Sequence, residues 1–125
     1  MNKLTLGARL LLGLLFFVFG LNGFLQFLPQ PEVNAAGGAF LGALAGTGYM
    51  FPIIKGIEVL AGSALLAGVF VPMALIFLAP IVVNIALFHV ILAQNGYGLV
   101  AAIVVLMVYL GWAYRAKFAP LFQVR

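Results

Sequence analysis

The sequence predicts an all-α fold, an integral membrane four-helix bundle that forms a single transmembrane domain over residues 1–125. Of the 125 residues, 66% are hydrophobic and only 6% are charged, whereas soluble domains carry about 25% charged residues. The apolar residues gather into four long segments, and most charges lie at the segment ends. A water-facing surface cannot be built from this composition, so we expect a multi-pass membrane protein.

The four predicted helices cover approximately residues 4–28, 51–71, 73–93 and 99–114. A helix that crosses the hydrocarbon core needs about 20 residues, with a range of about 17 to 25. The first three segments meet this length and the fourth is short. The first segment is also far longer than the apolar region of a signal peptide, so we expect it to be a retained helix.

Basic residues predict the orientation of the chain. Lys3 and Arg9 lie near one end of the sequence, and Arg115, Lys117 and Arg125 lie near the other. Under the positive-inside rule both termini are cytoplasmic, and Arg9 is a cytoplasmic-side anchor whose charge reaches the interface. The scattered basic residues exclude a nucleic-acid-binding patch, and a chain without cysteine has no thiol chemistry of its own.

The connection between the first two predicted helices is unusually apolar. Residues 34–49 contain five glycines and five alanines together with large apolar residues. Such a segment is expected to form a short interfacial or re-entrant element, because irregular backbone at membrane depth must be buried or face a cavity. A flexible surface loop is the alternative.

Six polar residues are the candidates for ligand binding or proton exchange. An intramembrane charge is costly unless it is paired or faces a cavity, which singles out Glu58. At a rise of about 1.5 Å per residue, three other polar side chains lie at a similar depth, and two more lie just above them. The full set is Glu58, His89, Asn22, Asn84, Lys55 and Gln26.

Structural explanations exist for the same residues. Glu58 can pair with Lys55, three residues earlier on one helical face, and membrane asparagines often bridge helices. His89 can reach a headgroup or a loop carbonyl, and it lies about 140° from Asn84 around the third helix. One histidine and two acids do not build a metal site, so we expect no metal. Haem ligation by His89 is conceivable, but no other sequence motif supports it.

Glycines on the first predicted helix indicate a close helix contact. Gly13, Gly20 and Gly23 form a stripe on one face, and Asn22 and Gln26 lie on the other side. Small residues allow membrane helices to approach closely. We therefore expect this stripe to pack against another helix.

Several motifs resemble those of the DoxX family of small bacterial membrane proteins. They are Arg9 to Gly13, Phe19 to Phe24, Glu58 to Gly62, and the residues around Asn84 and His89. The resemblance covers nearly the whole chain and implies a four-helix inner-membrane protein with cytoplasmic termini. It also implies a link to thiosulfate:quinone oxidoreduction, thiol stress or membrane assembly. Many members have a lysine where this chain has Gly23, which puts any activity that depends on that cation in doubt.

These observations lead to one preferred function and two alternatives. We expect a bacterial inner-membrane accessory subunit that binds a quinone, lipid or other apolar ligand in the outer half of the bundle. It would not be an enzyme on its own, and any catalysis would be quinone-dependent oxidoreduction within a membrane redox complex. The alternatives are a small proton-coupled transporter, which would need a homodimer to line a path, and an assembly factor whose polar residues are purely structural.

Overall fold

Helices make up every regular element in the described part of the chain. The computed structural model describes residues 2–26 and 33–123. Within them the helices are α1 (Lys3–Leu25), α2 (Ala35–Gly46), α3 (Met50–Ala67), α4 (Val71–Leu87), a π-helix (Phe88–Ala93), α5 (Tyr97–Ala113), α6 (Arg115–Phe118) and a 3₁₀-helix (Ala119–Phe122). The predicted all-α class is confirmed.

Three helical segments are long and apolar enough to cross a membrane, namely Lys3–Leu25, Met50–Ala67 and Val71–Ala93. A fourth crossing is obtained if α5 and the segment Arg115–Phe122, which meet at an angle of 72°, form one bent span. The described residues therefore provide three or four candidate spans, as expected of a multi-pass membrane protein.

The spans pack around a shared apolar core. α1 lies against α3 and α5, and α4 also lies against α3 and α5, with the α1–α3 contact the most extensive. The most deeply buried large side chains come from all four helices and are Leu12, Phe16, Leu65, Leu78 and Leu110. Many large apolar side chains on the outer faces are exposed, which suits helices surrounded by lipid.

The helix ends follow local capping. Asn2 accepts a hydrogen bond from the Thr5 amide at 2.7 Å and so caps the start of α1. Gly68 adopts a left-handed conformation (φ 74°) and ends α3, because glycine tolerates positive φ. The second predicted helix thus ends at Ala67 rather than residue 71. The predicted end of the first helix, at residue 28, lies outside the described residues.

The third predicted helix is present without a break, but its last part is a π-helix rather than an α-helix. Pro72 lies in the first turn of α4, where a missing N–H is harmless, and Pro80 lies in its interior. The last six residues, Phe88–Ala93, are wound as a π-helix. Together they fill Val71–Ala93, close to the predicted range of 73–93.

The segment between α1 and α3 is helical. α2 begins after Asn34, whose side chain accepts a hydrogen bond from the Gly37 amide at 2.8 Å. A flexible loop was the alternative for residues 34–49, and the helix over Ala35–Gly46 excludes it for most of that range.

Candidate functional site

Glu58 is buried at the contact between α3 and α1. Only 3% of its surface is exposed, and its Oε1 lies 3.3 Å from the Lys55 ammonium on the same helix. The carboxylate is thereby shielded from lipid, as an intramembrane charge requires. The predicted pair with Lys55 is confirmed, and it satisfies Glu58 without any bound molecule.

Glycines on α1 create the space for this pair. A Cβ on Gly20 would lie 3.1 Å from the Cβ of Glu58 and 2.7 Å from the side chain of Val59. A Cβ on Gly23 would collide with the stem of Lys55. The predicted glycine stripe therefore packs on α3, and the aliphatic stem of Lys55 occupies the space that a larger residue at position 23 would need.

The same interface closes more tightly one turn further along. A Cβ on Gly62 would lie 2.5 Å from the amide nitrogen of Phe17 and 2.8 Å from the carbonyl oxygen of Gly13. Both atoms belong to the backbone, so neither can move aside without separating the helices. This close approach is the usual role of small residues between membrane helices.

Arg9 lies at the carboxyl end of α3, away from Glu58 in the middle of the helix. Its guanidinium packs over Gly68, where an added Cβ would lie 2.7 Å from the nearest nitrogen. Gly68 follows Glu58 by ten positions in the sequence, a distance of about 15 Å along the helix. A cation beside the carboxyl end of a helix is favoured by the helix dipole, so Arg9 is a structural partner of this turn.

His89 contacts the loop that precedes α5. Its Nδ1 lies 3.0 Å from the carbonyl oxygen of Asn95, and its ring also borders Gly96, which adopts φ 69°. Because a carbonyl only accepts, this contact requires a proton on Nδ1. The ring meets Phe88 edge-on with centroids 5.1 Å apart. His89 thus makes the loop-carbonyl contact that was one of its two structural explanations.

Asn84 lies in a cleft between α2 and the third span. The cleft has a volume of about 210 Å³ and is lined by Phe40, Asn84, Leu87, Phe88, Ile91 and Leu92. Asn84 is exposed, and its carboxamide forms no hydrogen bond to any residue the structure describes. It is the one polar side chain among these lining residues.

A second cleft follows the same outer face of α4. It has a volume of about 260 Å³ and is lined by apolar residues of α3, of α4 and of the turn between them: Ile57, Leu60, Ala61, Ala64, Phe70, Met73, Ala74 and Phe77. Met73, Phe77, Asn84 and Leu87, all within α4, fall within about 80° of one another at about 100° per residue. The two clefts therefore lie along one stripe of the third span.

The other two candidates lie on α1. Asn22 is half-buried and follows Gly20 by two residues, which turns it about 200° away from the face that meets α3. Gln26 is exposed at the helix end, with φ 52°. Of the six candidates, Lys55 and Glu58 are joined directly, while Asn84 and His89 have separate surroundings. The six polar residues that were grouped by their expected depth therefore do not form one site in the structure.

Asn34 is a structural residue that sequence reasoning missed. Its Nδ2 donates to the carbonyl oxygens of Leu92 at 2.7 Å and Ala93 at 3.3 Å. The Phe40 and Phe88 rings also pack with centroids 5.7 Å apart. These contacts fasten α2 to the end of the third span and form one wall of the Asn84 cleft. An asparagine directly before a helical segment was the available signal.

Metal ligands do not gather in the described residues, where no three His, Cys, Asp or Glu side chains form a group. Comparison with known proteins gives no family: no family, curated protein or solved structure matches the chain.

Proposed function

We propose that this chain is a small multi-pass protein of the bacterial inner membrane that binds a quinone or a lipid in the cleft beneath α2. In this proposal it has four spans, both termini are cytoplasmic, and it acts as an accessory subunit of a membrane redox complex. The resemblance to the DoxX family suggests the setting. The observation that carries the binding proposal is the exposed Asn84 carboxamide.

The argument begins with the depth of Asn84. It is nine residues from the end of the span Val71–Ala93, or about 13 Å from the nearer membrane boundary. Its side chain is too short to reach headgroups from there. An amide left without a partner in an apolar medium costs about 1–3 kcal/mol, so a molecule with a hydrogen-bonding head would be stabilised at this position.

A second polar group lies on the same face. Pro80 has no N–H, so the Ile76 carbonyl loses the donor that an ordinary helix would provide. Ile76, Pro80 and Asn84 are all exposed. The middle of this otherwise apolar stripe therefore offers both a donor and acceptors, which is the pattern of a small-molecule site.

The shape of the stripe favours an elongated ligand. A head group at Asn84 would have the apolar cleft at Met73 and Phe77 within about 16 Å along the helix. Quinones with isoprenoid tails and membrane lipids both combine a compact polar head with a long apolar chain. The aromatic rings of Phe40 and Phe88 would flank the head.

The proton-coupled transport alternative receives no comparable support. It depends on Glu58, which is buried against α1 and paired with Lys55. Neither of the two clefts is lined by Glu58. A structural role for the Lys55–Glu58 pair accounts for its geometry, and we assign ligand binding to Asn84 instead.

Extraction of bound molecules tests this proposal. The full chain is purified in a mild detergent, and co-purifying quinones and lipids are quantified by mass spectrometry against the bulk membrane. We expect one class to be enriched in wild type and reduced about five- to tenfold in Asn84→Leu, the loss of one hydrogen bond of about 1–1.5 kcal/mol. Glu58→Gln is the control and should retain the ligand.

Two results would contradict the proposal. Equal enrichment of the co-purifying quinone or lipid in wild type and Asn84→Leu would show that the ligand does not bind in this cleft. A dimer in native mass spectrometry that disappears in Asn84→Leu would show that a second copy of the chain covers the amide instead.

A further inference from the structure

Basic residues gather at one end of the molecule. The hydroxyl groups of Thr5 and Tyr109 are 2.9 Å apart, which places the start of α1 beside the end of α5. Four of the five described basic residues belong to this end: Lys3, Arg9, Arg115 and Lys117. The fifth, Lys55, is neutralised by Glu58, and no other acidic residue occurs in the described ranges 2–26 and 33–123.

The chain changes direction at this end. α5 stops at Ala113, and the helical segment Arg115–Phe122 leaves it at 72°. Phe118 packs against the core, whereas Leu121 and Phe122 are 63% and 84% exposed. A short segment that turns away from a membrane span with basic and large apolar side chains suits the boundary between headgroups and acyl chains.

Arg115 is held in place at the corner. Its guanidinium carbon lies 4.4 Å from the centroid of the Trp112 ring, and one of its nitrogens donates to the Trp112 carbonyl at 2.9 Å. This uses one of the five N–H donors of the guanidinium. Neither Arg115 nor Lys117 has a carboxylate partner in the described chain, so both retain donors for an anion.

We propose that the segment Arg115–Phe122 lies in the membrane interface and binds the phosphate groups of anionic phospholipids through Arg115 and Lys117. Trp112, Leu121 and Phe122 anchor it at the depth where those phosphates lie, since tryptophan is favoured at this boundary. Arg115 and Lys117 have no carboxylate partner among the described residues, and an anionic leaflet supplies a counter-charge for them. This proposal requires membrane insertion but is independent of the ligand cleft at Asn84.

Trp112 makes this proposal measurable, because it is the only tryptophan in the chain. The full chain is reconstituted in phosphatidylcholine vesicles containing brominated phosphatidylglycerol or, separately, brominated phosphatidylcholine, and quenching of Trp112 is recorded. We expect the anionic lipid to associate at least about fivefold more strongly at low salt, as two basic residues near the surface imply. At 0.5 M salt the preference should fall towards one.

Substitutions distinguish lipid binding by Arg115 and Lys117 from a general effect of the protein's net positive charge. Arg115→Gln with Lys117→Gln should bring the preference to about one, while Arg115→Lys with Lys117→Arg should keep it. Lys3→Gln removes a charge at the same end without touching the segment and should leave more than half of the preference. Since each ratio compares two lipids in one protein, changes in Trp112 brightness cancel.

A wild-type preference of one at low salt would overturn the proposal and assign the basic segment to a protein partner. An undiminished preference in the double glutamine variant would also overturn it. If that variant does not fold, the salt series on wild type still decides: a preference that does not weaken with salt contradicts phosphate binding. Ligand extraction at Asn84 involves none of these residues, so either proposal can fail alone.

Discussion

The α1–α3 interface and the outer face of α4 both carry polar groups at membrane depth, but they satisfy them differently. Between α1 and α3, glycine allows the backbones to approach, and the buried carboxylate of Glu58 has its cation beside it. On α4, the Asn84 carboxamide is exposed in an apolar cleft without a partner in the described chain. A charge that is already paired indicates structure, whereas an open polar group indicates a place for another molecule.

The largest effect is expected where the backbones are closest. Gly62→Ala should lower the free energy of unfolding by about 3 kcal/mol, the upper part of the range for overpacking, because the new methyl group meets backbone atoms of α1. Gly56→Ala in the same helix has nothing within 4 Å and should be neutral or stabilising by up to about 1 kcal/mol. Thermal unfolding in detergent compares them, and equal losses would show that the α1–α3 interface is loose.

The ion pair is the next test of this interface. Lys55→Met should destabilise by about 2 kcal/mol, because it leaves the buried Glu58 without its cation. This is less than the about 3–5 kcal/mol of a fully buried pair, since the Lys55 side chain is 19% exposed. Adding Glu58→Leu should recover more than half of the loss. A double variant no more stable than Lys55→Met would mean that the loss does not come from the unpaired charge of Glu58.

A smaller and more local effect is expected at the fastening of α2. Asn34→Ala removes a helix cap and two hydrogen bonds to the third span. We expect a loss of about 1 kcal/mol together with faster amide hydrogen exchange over Ala35–Gly46. Gly42→Ala in the same helix, with open space around it, should instead slow exchange there. Unchanged protection in Asn34→Ala would show that α2 is held by other contacts.

The smallest effect on stability is expected at Asn84, whose side chain is exposed in its cleft. Asn84→Leu should lower the free energy of unfolding by no more than about 0.5 kcal/mol, as for surface positions without contacts, because no hydrogen bond within the described chain is lost. It would thus contrast with Lys55→Met in the same unfolding assay. A loss above about 1.5 kcal/mol would show that Asn84 already has a structural partner.

Sequence patterns predicted the helices better than the site. Hydrophobic length located the spans, and the glycine stripe located the tightest interface. Depth counting placed Glu58, Asn84 and His89 at similar heights, but it could not tell which neighbour each side chain faces. The π-helix adds to the error, because its i→i+5 pattern breaks the 100° step just before His89.

The central claim is tested most directly by the side-chain amide of Asn84. ¹⁵N-labelled protein in lipid nanodiscs is titrated with a short-chain quinone, and the carboxamide resonances are followed by NMR, with Asn84→Leu assigning the signal. We predict that the Asn84 carboxamide shifts and saturates while that of Asn34, which is held by Leu92, stays in place. An Asn84 signal that does not move, or asparagine signals that all move together without saturation, would contradict the proposed binding site.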